Sequence, residues 1–294
     1  MKRILAIIAV VALALSLIGC ADGGKGSSEV GSGHEIVPID VTDLSGGVAA
    51  EVGEVQIGEN AITAYINNFR YANGLQDETE WGQWIFDTGY SMDGLRSDTV
   101  EMFVNQELIR QACEQEGITV SDEEVDAKIA ESRGDASDEE YAAALEEQGL
   151  DEAAYRENVR LGLLQEKLAE KVAGGDKVDD ATVLEYLKLY FPNEVDQDAT
   201  TLDGIDEERI KSVRELVEGF NSNQAFSQWM MDFRKKSDVV TYMMPEGLPY
   251  VVDLAPYEKA YYAALEQENA SSSGDAQDSS ASDSASSSSA SEGA

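Results

Sequence analysis

The sequence has few of the residues that enzymes most often use for nucleophilic or metal chemistry. It contains one histidine, His34, and two cysteines, Cys20 and Cys113, among 294 residues. A serine or cysteine nucleophile with a histidine base would have to use His34, and a zinc site needs a cluster of Cys and His. Carboxylates are so abundant that no acid–base pair can be singled out. We therefore predict no catalytic residue, no cofactor and no metal site.

Basic residues are also scarce, since 21 Lys and Arg stand against 58 Asp and Glu and give a net charge of −37. Such a surface repels nucleic acid and anionic lipid headgroups, so we expect no nucleic-acid partner. It favours solubility and attracts cationic molecules, although charge alone does not establish a basic partner.

One acidic stretch shares part of the pattern of a calcium-binding loop. Asp196, Asp198, Thr200 and Glu207 fall at positions 1, 3, 5 and 12 of an EF-hand loop. The sixth position, which requires glycine, is Thr201. The pattern therefore does not predict a calcium site.

The first twenty residues have the organisation of an export signal. Lys2 and Arg3 precede an apolar run from Ile4 to Ile18 that is short for a membrane span. Leu-Ile-Gly-Cys at 17–20 resembles the lipobox of bacterial lipoprotein signal peptides. The resemblance implies cleavage before Cys20, acylation of Cys20, and anchoring to the extracytoplasmic side of the bacterial cell membrane. An ordinary secretory signal is the alternative. With Cys20 lipidated, Cys113 is predicted to be a buried structural thiol. A reactive thiol is the alternative, and it would need a basic neighbour to lower its pKa.

Changes in composition divide the chain into six segments. We predict a signal peptide over 1–19, a flexible tether over 20–47, a helical domain over 48–191, a short loop over 192–204, a helix–strand–helix segment over 205–268 and a disordered Ser/Ala/acidic tail over 269–294. The fold class is mainly α with a small β-sheet, because short strands are predicted only around 48–57 and 239–243.

The central stretch, residues 100–172, carries the clearest local signals. Val100, Val104, Leu108 and Ala112 form an apolar stripe on one face of a helix that ends at Gly117. Two Ser-x-x-Glu capping boxes then begin two short helices. They are Ser121 with Glu124 and Ser137 with Glu140. A long helix starts near Asp151 and extends to Val172.

The order of these elements resembles the N-terminal domain of the SurA, PrsA and trigger-factor-like chaperones. The matching features are Glu116-Gly117-Ile118, Val120 to Val125, and Leu145 through Tyr155-Arg156. Phe226, Trp229, Met230 and Phe233, with the strand after them, resemble the C-terminal helix of such chains. The resemblance implies that this helix and strand pack on the N-terminal domain. The loop at 192–204 stands where the prolyl isomerase domain of such chaperones is expected.

The resemblance implies a membrane-anchored chaperone that binds unfolded or nascent exported polypeptides and has no isomerase activity. Methionine and aromatic side chains adapt to varied partners. The candidate client-binding residues are Trp81, Trp84, Met230, Met231, Met243 and Met244. For the two tryptophans, filling of the core is the alternative role. A scaffold lipoprotein with one envelope partner and a degenerate prolyl isomerase are the alternative functions.

Overall fold

A computed structural model describes residues 36–173 and 177–278 of the chain. The predicted signal peptide, the lipidation residue Cys20, His34 and the last part of the tail, 279–294, lie outside the described residues. The described residues form three strands, β1 (Val48–Val52), β2 (Val55–Gly58) and β3 (Val239–Thr241), and nine helices, α1 (Glu59–Ala72), α2 (Glu78–Thr88), α3 (Met92–Gln115), α4 (Asp122–Arg133), α5 (Asp138–Glu146), α6 (Glu152–Val172), α7 (Asp180–Tyr190), α8 (Glu207–Lys236) and α9 (Ala255–Asp278). The prediction of a mainly α fold with a small sheet is confirmed.

The sheet joins segments that are far apart in the sequence. β1 and β2 form a hairpin whose two-residue turn begins at Gly53, where φ is 61°. Glycine is favoured there because a side chain makes positive φ costly. β3 pairs antiparallel with β1, with Val52 opposite Val239, and the strand order is β2-β1-β3. The resemblance implied that this C-terminal strand packs on the N-terminal domain, and the pairing of β3 with β1 confirms it.

The helices α3 to α6 form where the capping signals predict them. α3 ends at Gln115 and is followed by Gly117 at a φ of 65°. Both predicted capping boxes are formed, at the starts of α4 and α5, and the Asp151 side chain caps α6. Four predicted core residues of α3 are buried, namely Val100, Val104, Leu108 and Ala112. Away from this core, α4 and α5 pack on α6 around a smaller core of Val125, Leu145, Tyr155 and Val159.

The main core lies between the sheet, α1, α2 and α3. Its largest fully buried side chains include Trp81, Ile62, Ile85 and Leu108. Part of the segment predicted as a flexible tether is also packed here, which corrects the predicted boundary at residue 47. Ile39 and Val41 are half-buried against the core. The Val41 carbonyl accepts the Gly58 N–H at 2.8 Å, so residues 36–47 are held against the sheet.

Residues 242–266, which we call the C-terminal strap, lie across α2 and the main core. The fully buried Tyr250 accepts a hydrogen bond on its carbonyl from Trp81 Nε1 at 2.7 Å. The Tyr257 ring lies against Gly82 of α2, so closely that a Cβ at position 82 would come within 2.4 Å of its hydroxyl oxygen. α9 continues to Asp278 and so includes residues 269–278, which corrects their assignment to the disordered tail. The physical reason is that no proline interrupts that stretch.

The close packing of Gly82 predicts the effect of a methyl group at that position. Gly82→Ala is expected to push Tyr257 away and detach the start of α9 from α2, at a cost of about 1–3 kcal/mol. Urea unfolding and hydrogen exchange over residues 255–266 measure both effects. Gly219→Ala is the matched control, because this exposed helical glycine has no atom near its Cβ position. It should stabilise the chain by about 0.5–1 kcal/mol. Unchanged exchange in Gly82→Ala would contradict the packing.

α7 and the first half of α8 form a separate, smaller core. Val183 and Leu187 of α7 pack against Val213 and Val217 of α8. The segment 192–204, predicted as a plain loop, contributes the buried Val195 to the same core. α7 thus packs on α8, although the sequence assigned it to the helical domain over 48–191.

Candidate functional site

The second half of α8 packs against the helices α3 and α6. We call this contact the seam. On the side of α3 and α6, the seam contains the buried residues Ala112, Cys113 and Leu168. On the α8 side Trp229 and Phe233 pack against them. These aromatic side chains are only half-buried, because one side of the seam opens to solvent.

The opening forms a cleft of about 780 Å³ between three elements: the tip of the β1–β2 hairpin, the C-terminal half of α3 and the end of α8. Its lining residues are Glu54, Val55, Glu107, Gln111, Glu114, Gln115, Glu116, Trp229, Asp232, Phe233, Lys236 and Ser237. A cleft of this size fits a few side chains rather than a folded domain.

One wall of the cleft is aromatic and one is polar. The Trp229 and Phe233 rings are stacked, with centroids 5.3 Å apart and planes at 9°. Opposite them, Gln111 Nε2 donates to the Val52 carbonyl at 2.9 Å and to Glu107 Oε1 at 2.9 Å. This amide links α3 to the β1–β2 hairpin, so hydrogen bonds hold the polar wall in place.

The cleft has a strongly negative lining. Five of its residues are acidic and one, Lys236, is basic. A hydrogen bond from Lys235, with a further one from Gln228, lowers the pKa of Asp232, so this carboxylate stays charged at neutral pH. Glu54 and Glu114 are exposed and form no ion pair with any residue of the described ranges.

The six predicted client-binding residues do not form one surface. Trp81 is fully buried, and its indole N–H is used by the Tyr250 carbonyl. The assignment of Trp81 to client binding is therefore corrected: in this structure it fills the core, which was its alternative role. Trp84 is half-buried and stacks on Trp81 with centroids 5.4 Å apart.

The four methionines differ in their exposure. Met243 is 91% exposed and Met231 is 52% exposed. Met230 and Met244 are half-buried against the main core. Met243 and Met231 therefore remain candidates for contact with a partner, whereas Met230 belongs to the seam of α8.

The acidic lining of the cleft was missed by the sequence analysis. Glu107, Gln111 and Glu114 have a spacing of four and three residues, which places them on one side of α3. That polar stripe was a detectable signal. The sequence contains no such signal for the tip of the β1–β2 hairpin or for Asp232. These parts of the cleft meet only because β3 pairs with β1 and brings the end of α8 beside the β1–β2 hairpin.

Two observations concern the cysteine and the possible metal ligands of the described residues. Cys113 is buried, its Sγ lies 3.5 Å from the Leu164 carbonyl oxygen, and burial raises the pKa of its thiol. Within residues 36–173 and 177–278, no three His, Cys, Asp or Glu side chains are grouped so that they could hold a metal ion. Over the same ranges, no helix is both long and apolar enough to cross a membrane.

Comparison with known proteins identifies the central part of the fold. The sequence model of the SurA-like N-terminal domain matches residues 1–169, which is more than half of the chain. No curated protein and no solved structure matches the chain significantly. The matched range includes the β1–β2 hairpin, most of the main core and almost all of α3 to α6. The chain therefore belongs to the SurA-like N-terminal domain family.

Proposed function

We propose that this protein is an extracytoplasmic chaperone that binds unfolded exported polypeptides, is tethered to the membrane through Cys20 and lacks prolyl isomerase activity. The single observation that carries the proposal is the open cleft at the seam between α8 and the domain that matches the family. Membership of the SurA-like family supports a chaperone-like role.

The composition of the cleft suits transient binding of unfolded chains. The Trp229 and Phe233 faces offer apolar area to side chains that a folding polypeptide has not yet buried. The carboxylates around them stay hydrated and limit how much apolar surface is covered. Affinity is therefore expected to be moderate, so that a client leaves when its own core forms.

Two further features support the parts of the proposal that concern anchoring and isomerase activity. The lipobox-like residues before Cys20 support a lipid anchor, and the Gly/Ser-rich residues 21–33 would connect this anchor to the packed domain. The connection between α7 and α8 spans only residues 191–206. Its Val195 packs in the small core shared with α7, which supports the proposal that no isomerase domain is inserted at this position.

The proposal is tested by aggregation of a urea-denatured exported protein that is diluted into buffer with an equimolar amount of the full chain. Light scattering is expected to fall when the full chain is present. Gln115→Trp should weaken this protection, because Gln115 is an exposed residue of the cleft and a large ring there fills it. Asn221→Trp, on the exposed middle of α8, is the matched control and should protect like the original chain.

Two outcomes would contradict the proposal. The first is scattering that is unchanged by the full chain at equimolar ratio. The second is equal protection by Gln115→Trp and the original chain, which would remove the cleft from the mechanism. A pull-down from envelope extract that yields one stoichiometric partner instead of a spread of proteins would favour the scaffold alternative.

A further inference from the structure

We infer that the cleft selects segments of unfolded polypeptide that carry lysine or arginine beside an apolar residue. This inference rests on the proposed function and names the chemistry of the client segment. The cleft combines a stacked aromatic pair on its α8 wall with carboxylates on the walls formed by α3 and the β1–β2 hairpin.

The carboxylates of the cleft differ in whether the protein itself neutralises them. Three are already paired: Glu107 with Arg110 at 3.5 Å, Glu116 with Lys171 at 3.2 Å, and Asp232 with Lys235 at 3.0 Å. Glu54 at the hairpin tip and Glu114 on α3 have no cation within ion-pair distance in the described ranges. These two charges on different walls of the cleft are available to a cation from outside.

The aromatic wall completes a site for a long cationic side chain. Lysine and arginine place apolar methylene groups along an apolar surface and keep the charged end hydrated. A cation over the face of a tryptophan or phenylalanine ring is attracted by the ring electrons. A client cation can therefore lie between the Trp229–Phe233 wall and the carboxylates of Glu54 and Glu114.

Lys236 repels a cationic ligand, so its removal is expected to change the affinity in the opposite direction to removal of a carboxylate. It is the single basic residue of the lining, and it is exposed. Its ammonium lowers the pKa of Asp232, although the hydrogen bonds from Lys235 and Gln228 are larger causes. Removal of the Lys236 charge should therefore strengthen binding of a cation, whereas removal of the Glu54 and Glu114 charges should weaken it.

The experiment measures fluorescence anisotropy of three labelled, unstructured peptides with the full chain. The peptides have the same apolar residues, and their remaining positions are lysine, glutamine or glutamate. The lysine peptide is expected to bind about tenfold more tightly than the glutamine peptide at 50 mM salt. The preference should shrink at 0.5 M salt, since the Debye length is then only about 4 Å.

Variants separate the cleft from the general negative field of the chain. Glu54→Gln combined with Glu114→Gln is expected to weaken lysine-peptide binding about fivefold. The control is Glu147→Gln combined with Glu185→Gln, which removes the same charge from two exposed sites outside the cleft. It should change binding less than about twofold. Lys236→Gln should tighten binding about twofold.

The outcomes distinguish this inference from the proposed function. Equal affinity for the lysine and glutamine peptides would overturn the selectivity and leave the chaperone proposal standing. Equal loss in the cleft pair and in the control pair would also overturn it, because the whole surface would then attract the peptide. Failure of the full chain to bind any of the three peptides, together with unchanged aggregation, would overturn both.

Discussion

Replacement of Arg96 by methionine is expected to lower the free energy of unfolding by about 3–5 kcal/mol. Arg96 on α3 and Glu59 at the start of α1 form an ion pair at 2.6 Å, and their side chains are 3% and 2% exposed. A second hydrogen bond of 2.9 Å makes the pair bidentate. Arg96 Nη1 also donates to the Tyr242 carbonyl at 2.9 Å. Its loss leaves a buried carboxylate without a partner and releases the start of the C-terminal strap.

The positive charge of Arg96 is stabilised locally. Burial opposes this charge, but the hydrogen bonds and the negative charge of Glu59 outweigh burial and raise the pKa of the guanidinium. Arg96 therefore stays positively charged, and the contribution of the pair is tested by substitution.

Urea unfolding of Arg96→Met measures the loss, and two variants define its cause. Glu59→Leu with Arg96→Met removes both charges and should recover part of the stability, because an uncompensated buried charge is the main penalty. Arg156→Met breaks an exposed ion pair with Asp126 and should cost far less, because solvent screens such a pair. A loss in Arg96→Met as small as that in Arg156→Met would show that the pair is not buried as described.

Trp81→Ala is expected to destabilise the chain by about 3–5 kcal/mol. Trp81 is fully buried at the centre of the main core, with Arg70 over its ring at 5.1 Å and Trp84 stacked against it. The substitution leaves a large cavity. It also removes the indole donor from the Tyr250 carbonyl, so the strap loses one of its contacts with α2.

Trp81→Phe separates these two effects, because phenylalanine fills much of the space but donates no hydrogen bond. Its cost should be about 1–3 kcal/mol, the penalty for a buried carbonyl without a partner. Thermal unfolding and the aggregation assay should be run on both variants. A Trp81→Ala protein that keeps its stability and loses only protection of clients would restore Trp81 to the client-binding residues and contradict its place in the core.

Local sequence signals were sufficient for the central helices. The boundaries of α4 and α5 follow from serine and glutamate three residues apart, which satisfy backbone N–H groups within one turn. The end of α3 follows from Gly117, whose positive φ most side chains disfavour. These features depend on neighbouring residues only, so the sequence alone was enough to predict them.

The roles of single aromatic residues could not be predicted in the same way. Trp81 and Trp229 both lie on amphipathic helices, and the periodicity of apolar residues gives the same prediction for both. Trp81 is buried because the C-terminal strap, some 170 positions later, covers it. Trp229 stays half-exposed because the hairpin tip lies beside it and leaves a cleft open. Periodicity reports which side of a helix is apolar, but not which distant segment covers that side.

The sequence by itself determined the helical class, the capped helices α3 to α6 and the negative charge of the chain. The tertiary structure alone decided where the strap lies, that residues 36–47 and 192–204 are packed, and that carboxylates from α3 and the hairpin face the aromatic side of α8. The physical reason is the range of the interactions. Caps and apolar periodicity act within a few residues, whereas a cleft exists only where long-range packing brings separate segments together and leaves space between them.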